Sequence, residues 1–127
     1  MGVMGEVLVK AKFFKNDKVE EVEAIVDTGS TFTKIPKNVA DKLGIEGKEE
    51  VKVKIGDGKI ISRKLDIVEI EIEGIKRQIY VTIGGESEVP VIGYTTLEIL
   101  GLKVNPVEKK LEKVTAIELK EVKWTLN

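Results

Sequence analysis

The chain has 127 residues, of which 42% are hydrophobic and 34% charged, and it contains neither histidine nor cysteine. The length fits one domain, and the balance of 21 basic against 22 acidic residues excludes the basic excess usual in nucleic-acid-binding proteins. The missing residue types exclude a Ser-His-Asp triad, a thiol nucleophile, a disulfide and a zinc site of the usual kind. Any catalysis must therefore use carboxylates, lysines, hydroxyls or a cofactor.

The charged residues are mostly lysine and glutamate, 19 and 17 of them respectively. This enrichment is typical of hyperthermophile proteins, and an ordinary solvated surface is the alternative explanation. The first residues, Met1 to Glu6, lack the basic and apolar regions of a signal peptide. No stretch reaches the 18 or so apolar residues of a membrane helix. We therefore expect a soluble, cytoplasmic protein with neither a membrane nor a nucleic acid as partner.

In the first part of the chain, alternating apolar and polar residues predict strands over residues 7–12 and 19–26. The second strand ends in the apolar run Ala24-Ile25-Val26. A helix is predicted from Pro36 to Leu43, since proline favours the first position of a helix and Gly44 lies just past its end.

A hairpin is predicted in the middle of the chain. Residues 51–55 alternate in polarity and apolar residues resume at Ile60, with Asp57-Gly58 between them. An Asp-Gly pair in this position predicts a two-residue type I′ turn. Residues 65–72 and 75–83 predict two further strands joined at Glu73-Gly74.

A second helix is predicted near residue 95. Thr95 and Glu98 have the spacing of a capping box, and Gly101 closes the helix. Further on, the apolar residues Ile117 and Leu119 occupy odd-numbered positions, whereas Val122, Trp124 and Leu126 occupy even-numbered ones. This change in the alternation predicts a bulge or two short strands in residues 116–127. We expect one mainly β domain over residues 1–127, with a core of about 7–115 and one or two short helices.

The sequence contains a weak internal repeat. Ile25-Val26-Asp27-Thr28-Gly29 precedes a helix that ends in Leu43-Gly44-Ile45, and Val91-Ile92-Gly93 precedes one that ends in Leu100-Gly101-Leu102. Each half therefore has an apolar strand, a glycine turn and a helix.

Asp27 is the candidate catalytic residue. An ionised aspartate at the end of an apolar run loses hydration unless hydrogen-bond donors surround it. The Gly29 N–H and the hydroxyls of Thr28 and Ser30 are suitable donors. The alternative is an aspartate that only organises a turn, as in a β-barrel dimerisation domain without catalysis.

The order of these features resembles the retropepsin-like aspartic proteases, in particular a cellular archaeal or bacterial member. The matching motifs are the Asp-Thr-Gly sequence that follows two apolar residues, a glycine-rich hairpin in the flap position and a second apolar-apolar-Gly turn before a helix from Tyr94 to Leu100. The flap residues are Gly56, Asp57, Gly58 and Lys59, and the second turn is Val91, Ile92 and Gly93. The resemblance implies a closed acid-protease β-barrel with one or two short helices.

The resemblance also implies a function. The chain has one Asp-Thr-Gly sequence, so a dyad requires Asp27 from each subunit of a homodimer, and the reaction is endopeptidase hydrolysis of a peptide or unfolded protein with no cofactor and no metal. Thr28 would bond across the two-fold axis, Gly29 would line the cleft and Ser30 would bond the Asp27 carboxylate. A hydroxyl that favours the ionised carboxylate predicts an acidic pH optimum. The alternative is a non-catalytic dimeric module of the same fold that binds extended peptides.

One other glycine-rich segment is interpreted as structural. Gly84-Gly85-Glu86 lacks the strand–helix context of a phosphate-binding loop, which predicts a plain turn.

Overall fold

The computed structural model describes residues 6–121 and Trp124. About half of these residues lie in strands, and two short helices complete the regular structure, so the prediction of a mainly β fold is confirmed. The elements in chain order are β1 (Val7–Lys15), β2 (Lys18–Val26), β3 (Thr33–Ile35), α1 (Lys37–Leu43), β4 (Glu49–Lys54), β5 (Ile60–Ile72), β6 (Ile75–Ile83), β7 (Val91–Ile92), α2 (Tyr94–Leu100), β8 (Leu102–Asn105) and β9 (Lys110–Lys113).

The main sheet closes into a ring. Its strand order is β1-β2-β7-β3-β6-β5-β4, and β1 also pairs with β5, with Phe13 opposite Ile70. Six strands therefore surround the core, while β4 extends beyond the ring as the outer strand of a hairpin with β5. A separate two-stranded sheet, β8 with β9, follows α2.

The core consists of the apolar residues that alternate along these strands. In β5, Val68, Ile70 and Ile72 are buried, whereas Ile67, the residue before Val68, is 37% exposed. Both helices cover this core with their apolar faces. The largest fully buried apolar side chains are Phe13, Ile35, Leu43, Ile70, Ile72 and Ile92.

The hairpin turns differ from the prediction at one place. Gly58 has a φ of 88°, but Asp57 does not have a positive φ, so the predicted type I′ turn is wrong there. The Gly58 N–H donates to the Ile55 carbonyl and the Ile55 N–H donates to the Lys59 carbonyl, which leaves residues 56–58 as a three-residue loop with Gly58 in the left-handed region. Two positive φ values in succession occur instead at Asn16-Asp17 and Glu73-Gly74.

Both predicted helices are present: α2 has the predicted bounds of Tyr94 to Leu100, whereas α1 begins one residue later than predicted. Pro36 is the residue before α1, and Gly44 ends that helix in the left-handed conformation. The prediction of a capping box for α2 is wrong, because the helix begins after Gly93 and Thr95 lies inside it. The Thr95 hydroxyl donates instead to the Thr31 carbonyl, at 2.7 Å.

The predicted strand near the C terminus is also wrong for the described residues. Residues 114–121 form no strand, and the side chains of Leu119 and Trp124 are 89% and 94% exposed. An alternating pattern forms a strand only where another strand is present to pair with it. Val122 and Leu126, which belong to the same prediction, lie outside the described residues.

None of the helices in the described part of the chain is both long and apolar enough to cross a membrane.

Strand β7 runs between β2 and β3, and its end is unusually crowded. It pairs in parallel with β2 and antiparallel with β3. A Cβ placed on Gly93, just after β7, would lie 2.4 Å from the carbonyl carbon and oxygen of Phe32 and 2.9 Å from the Thr33 nitrogen. All three are backbone atoms, so only glycine fits at this crossing.

We therefore expect Gly93→Ala to lower the free energy of unfolding by about 2–3 kcal/mol, the cost of overpacking where the backbone must move. Urea denaturation at fixed protein concentration measures this loss. Gly56→Ala is the matched control, because a Cβ at Gly56 meets no atom within 4 Å. Its stability should stay within about 0.5 kcal/mol of the original. Equal stability of the two variants would contradict the crowding at Gly93.

Candidate active site

Asp27 is the first residue after β2, beside the end of β7. The two apolar pairs of the internal repeat lie side by side, since Ile25 pairs with Val91 and Val26 with Ile92. The Asp27 N–H then donates to the Ile92 carbonyl at 3.0 Å. The parallel pairing of β2 and β7 thus fixes where the Asp27 backbone leaves the sheet.

The carboxylate of Asp27 is held by two neighbours in its own loop. The Gly29 N–H donates to Oδ1 at 2.9 Å, and the Ser30 hydroxyl donates to Oδ2 at 3.2 Å. The Ser30 N–H closes the turn on the Asp27 carbonyl at 3.1 Å. Asp27 and Thr28 are both exposed on the single chain. Hydrogen bonds within the loop, rather than burial, therefore set the orientation of the carboxylate.

The same loop is attached to the start of α2. The Tyr94 N–H donates to the Ser30 carbonyl at 2.7 Å, while the N–H and hydroxyl of Thr95 both donate to the Thr31 carbonyl. Because α2 begins directly after Gly93, the crossing at Gly93 and the position of the Asp27 loop are mechanically linked.

A buried hydroxyl pair lies beneath this attachment. Thr33 Oγ1 and Thr96 Oγ1 are 2.6 Å apart and both residues are fully buried, and Thr33 Oγ1 also accepts the Gly93 N–H at 3.1 Å. These contacts satisfy the polar atoms of the crossing. This pair could not be predicted from the sequence, because threonines 63 residues apart form no pattern along the chain.

A cavity of about 980 Å³ separates the Asp27 loop from the β4–β5 hairpin. Residues 29–32 line one side and residues 52–56 line the other, and Val91 also contributes. The partly buried Phe32 is among the lining residues. The structure thus brings the predicted Asp-Thr-Gly loop and the predicted hairpin to the same cavity.

Of the predicted site residues, Asp27 and Thr28 are exposed and are not among the residues that line the cavity. Gly29, Ser30, Gly56 and Val91 line the cavity. Ile92 and Gly93 support it from the buried side of the loop, whereas Asp57, Gly58 and Lys59 form the outer end of the hairpin.

The cavity also contains an ion-pair cluster, which we call the Glu88 cluster and define as Glu88, Arg63 and Lys34. Arg63 donates both terminal nitrogens to the Glu88 carboxylate, at 2.8 and 2.9 Å, and Lys34 Nζ donates at 2.9 Å. The Gly85 N–H adds a fourth bond at 2.7 Å. These donors, Arg63 above all, lower the pKa of Glu88 to about 2, against the opposing effect of its partial burial.

The Glu88 cluster has no signature in the sequence. The turn predicted at residues 84–86 is present, and the Glu88 N–H donates to the Gly85 carbonyl there. The cations come from β3 and β5, 54 and 25 residues away from Glu88. No local spacing relates these three residues, so only the closed sheet reveals the contact.

No cluster of metal-binding side chains occurs in the part of the chain described here. Within residues 6–121 and Trp124, no three acidic side chains are arranged so that they could hold a metal ion.

Comparison with known proteins connects this site to one family. A family model described as "Aspartyl protease" matches residues 9–104, which is most of the chain. The matched segment runs from β1 to β8 and includes the Asp27 loop, the β4–β5 hairpin and the Gly93 crossing. No curated protein sequence gives a significant match.

The Glu88 cluster generates a prediction about stability and pH. A carboxyl group whose pKa is lowered on folding stabilises the protein above its unfolded pKa, and that stabilisation is lost as the pH falls through the folded value. For Glu88 the window runs from about 4.5 down to about 2. Because a third of the side chain remains exposed, solvent screening limits the contribution to about 1–2 kcal/mol.

We therefore expect Glu88→Gln to lower the free energy of unfolding by that amount at pH 6, with the difference disappearing towards pH 2. Urea denaturation at several pH values measures both. Glu50→Gln is the control, because Glu50 is 61% exposed and makes a single long contact to Lys64. A Glu88→Gln loss that is the same at all pH values would show that packing, not charge, is responsible.

Proposed function

The chain belongs to the aspartyl protease family of the retropepsin-like clan, and we propose that it is an endopeptidase whose active site forms between two copies of the chain. Family membership itself indicates a protease. The observation that carries the finer proposal is Asp27, which is exposed on the single chain while its two oxygens are held by Gly29 and Ser30. An oriented, exposed carboxylate is half of an aspartic dyad.

The second half must come from a second subunit. Aspartic catalysis requires two carboxyl groups. They share one proton, because two carboxylates a few ångströms apart repel each other and are not both ionised. The chain has one Asp-Thr-Gly sequence. A two-fold axis beside the exposed pair Asp27 and Thr28 would supply the same residues again. The proposal is therefore a homodimer with one shared site.

In the proposed reaction the ionised carboxylate takes a proton from a water molecule held between the two Asp27 residues. The water oxygen bonds to the scissile carbonyl carbon, while the protonated carboxyl gives its proton to the carbonyl oxygen. The hydroxyl formed from that oxygen then returns its proton to the carboxylate that donated it and becomes a carbonyl again. The C–N bond breaks, and the other Asp27 gives the proton it took from water to the leaving nitrogen. The net result is the addition of one water to the peptide bond, and the proposed reaction uses no cofactor.

The remaining loop residues have supporting roles in this proposal. Gly29 and Ser30 hold the carboxylate, Thr28 bonds across the axis, and the β4–β5 hairpin acts as a flap over an extended peptide. The cavity between loop and hairpin supports this assignment, since it is lined by Gly29 and Ser30 on one side and by Gly56 on the other. An extended substrate would bind there by main-chain hydrogen bonds, as in other strand-addition sites.

We expect Asp27→Asn to reduce the rate of cleavage of an unfolded protein at acidic pH by about 10²–10⁴-fold, which is the range for loss of an acid–base group. A statine-type mimic of the tetrahedral intermediate should inhibit the unmodified protein. Asp17→Asn is the control, because Asp17 is exposed in a hairpin turn with a φ of 61°, which asparagine also adopts. It should retain activity. A dimer that binds extended peptides but cleaves none would favour the non-catalytic module.

The same variant tests whether the site is shared. When equal amounts of original and Asp27→Asn chains are refolded together, random pairing leaves about a quarter of the dimers with two aspartates. A shared dyad therefore predicts about a quarter of the original activity, whereas one complete site in each chain predicts about half. A value near one half would contradict the shared site.

The Ser30 hydroxyl should influence the pH dependence of cleavage. It donates to Asp27 Oδ2 and so favours the ionised carboxylate. We expect Ser30→Ala to shift the acidic limb of the pH–rate profile to higher pH. Ser30→Thr, which keeps a hydroxyl, is the matched variant and should shift it less. Superimposable profiles for Ser30→Ala and the original would show that this bond has no part in the reaction.

A further inference from the structure

The Glu88 cluster lies on the floor of the cavity, on the outer face of the sheet. Lys34 pairs with Thr82 of β6 on one side and with Val91 of β7 on the other, and all three residues line the cavity. Residues that pair across neighbouring strands present their side chains on the same face of a sheet. Both neighbours of Lys34 in β3 are fully buried on the opposite face. The Lys34 side chain therefore projects into the cavity and not into the core.

Arg63 reaches the same cavity from β5. It is two residues from Ile61 in this strand, so the two side chains lie on the same face. Ile61 pairs with Val53 of β4, and the side chains of this pair share that face. Arg63, Ile61 and Val53 all line the cavity. The cluster is thus a charged group at the base of the hairpin, bordered by apolar side chains.

The carboxylate of Glu88 is fixed by its own loop as well as by the two cations. The Gly85 N–H donates to Oε2 at 2.7 Å. A Cβ on Gly84 would lie 3.2 Å from Glu88 Oε1, and a Cβ on Gly85 would lie 3.1 Å from Oε2, so the two glycines leave the room that the carboxylate occupies. Because the pKa of Glu88 is lowered to about 2, above all by Arg63, the carboxylate stays ionised in the acidic range above that value. The cluster is therefore formed before any peptide binds.

The acceptor sites of Glu88 are filled, whereas donors of its partners remain. Oε1 accepts from Lys34 and one Arg63 nitrogen, and Oε2 accepts from the other Arg63 nitrogen and from Gly85, which uses both lone pairs of each oxygen. Among the described residues, Lys34 uses one of its three N–H donors and Arg63 uses two of its five. A ligand in the cavity therefore meets hydrogen-bond donors at this point of the floor.

The cluster lies within reach of a peptide bound at Asp27. Val91 lies between Lys34 and Ile25 in the sheet, and Asp27 follows two residues after Ile25. With strands about 4.8 Å apart and a rise of about 3.3 Å per residue, the backbones of Lys34 and Asp27 are about 12 Å apart. About three or four residues of extended peptide span that distance.

We propose that the Glu88 cluster is a substrate subsite that recognises a peptide side chain ending in an acceptor oxygen, the amide of glutamine or asparagine or the carboxylate of their acids. Lys34 and Arg63 are the residues that determine this specificity. An apolar side chain in the same place would remove water from their donors without replacing its hydrogen bonds, which is unfavourable. The inference rests on the proposed protease function, and it names the substrate class of that site.

The test uses peptides that carry glutamine, glutamate or methionine at each position in turn within about four residues of the cleaved bond. Methionine resembles glutamine in length but has no acceptor oxygen. We expect kcat/KM to be about 3–10-fold higher for glutamine than for methionine at one position, the range for one hydrogen bond. A two-fold axis repeats the subsite, so the preference should recur on the other side of the bond. Methionine equal to or better than glutamine at every position would overturn the proposal.

The glutamate peptides distinguish the two acceptors at about pH 5.5, where a peptide glutamate is ionised. A preference for glutamate over glutamine that falls as salt is added would identify a carboxylate as the favoured group. A preference for glutamine would identify the amide. Either result supports a subsite that recognises an acceptor oxygen.

Lys34→Met tests the subsite directly, because Arg63 still bonds both oxygens of Glu88 in this variant. We expect the ratio of glutamine to methionine to fall close to one, whereas Lys34→Arg, which keeps the donors, should retain it. Lys12→Met is the matched control, because it removes an exposed lysine of β1 outside the cavity. An unchanged ratio in Lys34→Met, or an equal loss in Lys12→Met, would overturn the proposal. Thermal unfolding verifies that the three variants are folded.

Peptide binding to Asp27→Asn, followed by fluorescence anisotropy, separates this proposal from the proposed function. Cleavage without any preference for an acceptor oxygen would overturn the subsite and leave the protease in place. Preferential binding of the glutamine or glutamate peptide, without any cleavage by the original protein, would overturn the protease and leave the subsite in place. Absence of both would overturn the two proposals together.

Discussion

The close approach of two backbone segments at Gly93 is the constraint on which the rest of the site depends. Phe32 passes so near that any side chain at Gly93 would overlap its carbonyl group. This contact lets β7 lie between β2 and β3, and it brings the Ile92 carbonyl to the Asp27 N–H. It also starts α2 where Tyr94 can bond the Ser30 carbonyl. The position of the Asp27 loop thus follows from packing in which the carboxylate takes no part, whereas bonds within the loop orient the carboxylate itself.

Local patterns predicted most of the strands, both helices and the Asp27 loop, because burial alternates along a strand and that alternation is visible in the sequence. Strand β6 begins and ends where the pattern predicts, at Ile75 and Ile83. The predicted two-residue turn at Asp57-Gly58 is wrong because strand pairing, here Ile55 with Lys59, decides the length of a hairpin loop. The alternation fixes which side chains face the core, but it does not fix where two strands begin to pair.

Contacts between distant segments account for what the sequence did not reveal. Thr95 has the spacing of a helix cap, yet its hydroxyl bonds to Thr31, in the loop that follows Asp27. Glu88 follows an ordinary turn, and its cations reach it only because β3 and β5 border the same cavity. Ile117 and Leu119 alternate like strand residues, yet residues 114–121 form no strand. In each case the structure that a residue adopts depends on whether the fold places a partner beside it among the described residues.

The structure separates the residues that position the Asp27 loop from those that border the cavity. Gly93 and the hydroxyl pair of Thr33 and Thr96 are fully enclosed, so a change there alters the loop that carries Asp27. Strand β4 and the loop that follows it lie outside the closed ring, and Val53, Ile55 and Gly56 from this segment line the cavity. Substitutions there can therefore change the lining of the cavity without disturbing the crossing that positions the Asp27 loop. A fold with this division keeps one chemistry while its substrate range changes.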